Sequence, residues 1–110
     1  LYSFPDLETP LGRVHFGGYL PGSTGTGLRG FRRYGMYAAV LILRGEGIYR
    51  DASRREIALS AGHVIIVFPE LPHHYGPLPG SRWDECFVAF SGAAFDAWRA
   101  HGLDAAHPVW

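Results

Sequence analysis

The chain has 110 residues, with ten basic residues (all Arg), ten acidic ones, a formal net charge of zero and a pI near 7.2. That balance argues against a nucleic-acid-binding module within these residues, and an apolar content of 47%, with 15% aromatics, excludes intrinsic disorder. Fifteen Gly and eight Pro are too many for a helical bundle and suit short strands joined by tight turns.

A chain of this size is expected to build one hydrophobic core and not two. No apolar run reaches the ~20 residues of a membrane span, and no signal-peptide pattern opens the chain. The single Cys86 forbids an internal disulfide, which fits a reducing, cytoplasmic compartment.

Residues 1–12 carry two prolines and no periodicity, and they read as an extended arm. Arg13 to Tyr19 is a short strand with Val14, Phe16 and Tyr19 apolar, and Pro21 to Gly27 reads as a flexible loop. Tyr37 to Leu43 gives the strongest strand signal. It is followed by a hairpin in which Gly45 and Gly47 are expected to supply positive φ, and Ile48–Arg50 pairs back. Further strands are expected at Glu56–Leu59, Val64–Phe68, near His74–Tyr75, and from Trp83 to Phe90. In the last of these, Trp83, Glu85, Phe87 and Ala89 share one face, and Asp84, Cys86, Val88 and Phe90 the other. A helix closes the chain, with Ser91 as N-cap, Gly102 just past its end, and a stripe of Ala94, Phe95, Trp98 and His101. Seven or eight short strands and one helix specify a mainly β fold, a small antiparallel barrel or sandwich.

The chemistry-bearing residues point away from catalysis. His73 and His74 are adjacent on a strand and face opposite ways, so they read as structural or hydrogen-bonding groups and not as a metal pair. Cys86 has no neighbouring base, Ser91-Gly92 lacks a nucleophile-elbow pattern, and the glycines from Gly22 to Gly27 do not open a helix. If the Arg32-Arg33 segment is a strand, one arginine faces inward and offers a rigid fork of donors. Tyr75, Trp83, Phe87 and Trp98 suit either a core or a wall against sugar rings.

The stretch from Tyr37 to Phe90 resembles the N-terminal effector-binding domain of the AraC family of transcriptional regulators. The resemblance is carried by Leu43-Arg-Gly-Glu-Gly47, Leu59-Ser-Ala-Gly62, Phe68-Pro69, Pro72-His-His-Tyr-Gly76, Arg82-Trp83 and Phe87-Val-Ala-Phe90-Ser91. It implies a cupin-like barrel of jelly-roll type at residues 13–90. An N-terminal arm would occupy residues 1–12, and a helical segment would start in residues 91–110. Set against the family's arabinose-sensor pattern, the ligand-binding positions fall on Leu20, Arg33, Tyr75, Glu85 and Phe87. Leu20 stands for a threonine, Glu85 for a histidine and Phe87 for a tryptophan, so the ligand need not be arabinose. His63 replaces the family's usual Asp after a turn glycine, and Glu70 stands near a usual turn glycine.

The resemblance implies a sensor of a small effector, a sugar or polyol, in a homodimer that reaches DNA only through a domain outside this chain. No catalytic residue, cofactor or metal is expected. The alternative, a metal-dependent cupin enzyme such as an isomerase or dioxygenase, needs paired His and Glu near Arg44–Arg50, and those histidines are missing. Arg33, Tyr75, Glu85 and Phe87 are expected to converge in the barrel, with Arg33 as partner of the Glu85 carboxylate.

Overall fold

A computed structural model describes residues 2–25 and 34–110. Eight strands and one helix follow in order: β1 Tyr2–Thr9, β2 Gly12–Ser23, β3 Tyr37–Arg44, β4 Glu46–Asp51, β5 Glu56–Ser60, β6 Val64–Val67, β7 His73–Pro77, β8 Trp83–Ser91 and α1 Ala93–His101. They form two antiparallel sheets, one of five strands in the order β1-β2-β8-β3-β6 and one of three in the order β5-β4-β7.

The arm of residues 1–12 is thus largely a strand: β1 lies along β2, with Leu7 opposite Val14 and Thr9 opposite Gly12. Part of the expected Pro21–Gly27 loop is also strand, because β2 continues to Ser23. Pro21 is tolerated there because the pairing of β2 with β8 shifts register between Leu20 and Ser23, where no ladder bond from proline is needed. Asp84 anchors this irregular stretch by accepting the Gly22 N–H at 2.8 Å. Residues 26–33, including Arg32 and Arg33, lie outside the described residues.

Register assigns the faces. Along β8 the inward positions Glu85, Phe87 and Ala89 sit opposite Ile42, Val40 and Ala38 of β3, and opposite Leu20, Gly18 and Phe16 of β2. From the smaller sheet Tyr49 and Leu59 close the other side of a core that includes Val40, Ile42, Ile65, Val67 and Trp83. A second cluster of Tyr37, Ile66, Phe68, Phe90 and Leu103 covers the opposite face of the same large sheet. Two clusters therefore form where one core was expected. Strands β3, β6 and β8 are buried on both faces, which is why Tyr37–Leu43 and Val64–Phe68 read as unbroken apolar runs.

The helix differs in detail from the expected one. Gly92 is the N-cap, while Ser91 ends β8 and its hydroxyl meets His15 Nε2 at 2.7 Å. Of the expected stripe only Phe95 packs, with its ring centroid 4.3 Å from that of Phe90; Trp98 is 56% exposed. Helix α1 has no fully buried residue. It is tied down by Tyr37, whose hydroxyl donates to Asp96 Oδ1 at 2.8 Å, and by Arg99, which pairs with Glu70 and lies 4.7 Å over the Phe68 ring. Beyond the helix, the Pro108 carbonyl accepts the Ile66 N–H, Trp110 exchanges two backbone hydrogen bonds with Val64, and this segment covers the edge of β6.

The hairpin between β3 and β4 uses its two glycines differently. Gly45 has φ of 106°, as expected, but Gly47 does not adopt positive φ. It is needed for space, since a Cβ there would run into the Gly76 carbonyl and come within 2.6 Å of Trp83 Cζ3.

Candidate functional site

Between the two sheets lies a cavity of about 190 Å³, roughly the space of six waters at ~30 Å³ each. Leu20, Tyr75, Glu85 and Phe87, four of the five positions singled out in the sequence, all line it. They come from three strands, and each reaches the cavity because it occupies an inward position of its strand. The fifth, Arg33, immediately precedes Tyr34, another lining residue, but lies outside the described residues.

Sequence reasoning did not single out Phe16, Tyr34 or His73, which also line the cavity. Phe16 was legible in part: it shares strand parity with Leu20. Tyr34 precedes β3 and has no strand pattern to mark it. His73 is buried and donates from Nδ1 to the Leu71 carbonyl at 3.2 Å, with its ring stacked between Tyr49 and Tyr75. The neighbouring His74 is only half-buried, opposite Arg50 on the other face of β7. Among the described residues, no three His, Cys, Asp or Glu side chains gather as a metal site.

Phe16 stands edge-to-face to two other rings of the cavity wall. Phe16 meets Tyr34 edge-to-face at a centroid distance of 6.4 Å and 72°, and meets Phe87 at 6.1 Å and 76°. Glu85 supplies the carboxyl group of the lining. It is 6% exposed, and burial pushes its pKa above the usual carboxylate range. Among the described residues nothing donates to its Oε2.

A second buried carboxylate, Asp51, is fully answered. Its Oδ2 accepts from the Tyr49 hydroxyl and from Arg55, each at 3.0 Å, and its Oδ1 accepts the Ser53 N–H at 2.9 Å. Asp51 therefore pins the β4–β5 turn. His63 likewise does the work of a turn carboxylate, since its Nδ1 accepts the Ser60 N–H at 3.0 Å.

A family model described as the AraC-like ligand binding domain matches residues 29–109. The chain belongs to this family. Within the AraC-like ligand binding domain, β3 to β8, the helix and most of the lining of the cavity fall inside the matched span. Solved structures carry the same fold. The protein YhaK from Escherichia coli superposes with a TM-score of 0.64 at 18% identity, covering 83% of this chain and 43% of its own. A predicted oxalate decarboxylase from Thermotoga maritima gives 0.53 at 20% identity, covering 69% of this chain and 65% of its own. Protein NMB1881 from Neisseria meningitidis gives 0.51 at 11% identity, covering 79% and 90%. The chain thus spans less than two thirds of the first two of these proteins. At such identities the likeness concerns the fold, a small cupin-type barrel. No curated protein sequence matches the chain, and no described helix is long and apolar enough to cross a membrane.

Proposed function

We propose that this AraC-like ligand binding domain is the sensory part of a transcriptional regulator, and that it takes a small polar effector into the cavity between its sheets. The observation that carries this reading is the meeting of Leu20, Tyr75, Glu85 and Phe87 at one cavity whose walls combine rings with aliphatic side chains and whose polar groups are few. Such a lining suits recognition of one small molecule, with apolar faces covered by aromatics and orientation fixed by a carboxyl and a histidine. Sugars and polyols are the first class to test, and Arg33 is proposed to add donors from the segment before Tyr34. Occupancy would act by population shift, favouring one placement of the arm or of a contact between two copies, and DNA would be met through a domain outside this chain.

The second reading, a metal-dependent cupin enzyme, draws on the fold shared with the Thermotoga protein. It lacks a gathered ligand set among the described residues. Titration calorimetry with a panel of sugars and polyols, repeated on Phe87→Ala and Arg33→Ala, tests the sensor. Each substitution is expected to weaken binding roughly tenfold or more, the effect of losing a charge-assisted hydrogen bond or a ring contact. Binding that survives both substitutions would move the site elsewhere, and a stoichiometric metal with turnover would favour the enzyme.

A further inference from the structure

Sugar hydroxyls donate to a carboxyl but bring no charge to offset the burial of Glu85. The side chain is 94% buried by its 6% exposure, faces the cavity, and has an Oε2 with no donor among the described residues. A buried carboxylate without a partner is costly, and a binding site that keeps one leaves that cost to be offset by what binds. Aromatic rings share the lining with Glu85. Phe16, Tyr34 and Phe87 stand edge-to-face, so their planes enclose a corner and not a flat stacking surface, and Tyr75 closes the lining from the smaller sheet. Rings set at steep angles to Phe16 turn their π faces in more than one direction, which suits a compact cation better than a flat ring.

We infer that the effector of this cavity is a small organic ammonium compound, its cationic nitrogen seated on the Glu85 carboxylate within the Phe16–Tyr34–Phe87 corner. The inference rests on the effector-binding reading above and narrows its ligand class. No covalent step is involved. A primary or quaternary ammonium brings the charge that ionises Glu85, and when the acid is protonated in the empty site its proton leaves to solvent as the cation enters. The cavity, about 190 Å³, suits a compound of a small number of heavy atoms. The groups facing Glu85 do not compete for this role. The positions opposite it on β2 and β3 are Leu20 and Ile42, which carry no charge, and the other titratable groups in the lining are Tyr34, His73 and Tyr75. Asp84, next in the chain, points to the other face, where it faces Arg44 at 3.9 Å.

Matched probes test this. Calorimetric titration of the protein with serinol against glycerol, and with choline against its neutral carbon isostere, varies the charge with little change in shape. The ammonium member of a pair is expected to bind at least roughly tenfold more tightly, with proton release at acidic pH, and Glu85→Gln should bring the two members to within about twofold. Thermal unfolding of Glu85→Gln confirms that the variant is folded. If neutral members bind as tightly as charged ones, Arg33 or another group already neutralises Glu85; the ammonium inference then fails while effector binding stands. If neither ammonium probe binds at millimolar concentration, the inference also fails, and sugar or polyol binding that is lost in Phe87→Ala keeps the sensor reading alone.

Discussion

Glu85 sits in the lining of the barrel cavity, where burial raises the pKa of its carboxyl. The folded protein therefore holds this proton more tightly than the unfolded chain, and the sign of the pH dependence follows. The stability contribution of Glu85 is fully present below its unfolded pKa and is lost as pH rises through the raised folded value. Glu85→Gln removes that loss. Urea midpoints measured from acidic to mildly alkaline pH are expected to fall less steeply in the variant than in the wild type, and parallel profiles would contradict a raised pKa at the buried Glu85 carboxyl. Gly47 makes a different residue-scale demand, since its missing side chain leaves room for the Gly76 carbonyl and the Trp83 ring. Gly47→Ala is expected to cost about 1–3 kcal/mol through overpacking, read from chemical denaturation.

At the scale of elements, α1 is the weakest-held piece, because it contributes Phe95 to a cluster but buries no residue fully. Its attachment passes through Arg99, which meets Glu70 and the Phe68 ring at once. Both side chains of the ion pair are a third or more exposed, so the pair is screened and the ring contact carries more of the value. Arg99→Ala is expected to cost about 1 kcal/mol, and to speed hydrogen exchange in α1 while amides of β3 and β8 keep their protection. Partial burial opposes ionisation of Glu70, but the Arg99 guanidinium and a backbone hydrogen bond outweigh it and hold the pKa below the usual carboxylate value. The Glu70 contribution is thus present above the unfolded pKa and lost as pH falls through the lowered one. Acid should loosen the helix before the sheets.

For the whole molecule, a cavity between two sheets couples ligand occupancy to global stability. An effector present at 100 times its Kd should stabilise the folded state by ~2.7 kcal/mol, a rise in Tm on the order of 10 °C for a domain of this size. A thermal-shift screen reads this directly. Phe87→Ala, by weakening binding about tenfold, should cut the stabilisation to ~1.4 kcal/mol and roughly halve the shift for a ligand held in the cavity, and an unchanged shift would place the ligand outside it.

Much of the architecture was written along the chain. Alternation assigned Trp83, Glu85, Phe87 and Ala89 to one face of β8, because side chains on a strand alternate with period two whatever the strand packs against. The resemblance carried by Pro72-His-His-Tyr-Gly76, Arg82-Trp83 and Phe87–Ser91 marked Tyr75, Glu85 and Phe87 as candidate positions. What alternation cannot give is the partner across the barrel. That Phe16 of β2 meets Phe87 of β8 and Tyr34 ahead of β3 depends on strand order β1-β2-β8-β3-β6, which joins segments some seventy residues apart. The apolar runs of β3 and β6 declared burial but not its two-sidedness, since a continuous run is equally compatible with one deep core; the return of Pro108–Trp110 to the edge of β6 is a long-range event with no local signal. Gly47 read as a turn residue because glycine permits both positive φ and close approach, and only the neighbouring Gly76 backbone and Trp83 ring decide between them. Local chemistry thus indicated the strands from β3 to β8 and which residues share a face, while the pairing of distant segments added β1 and the end of β2, decided what each face meets and formed the cavity beside Glu85.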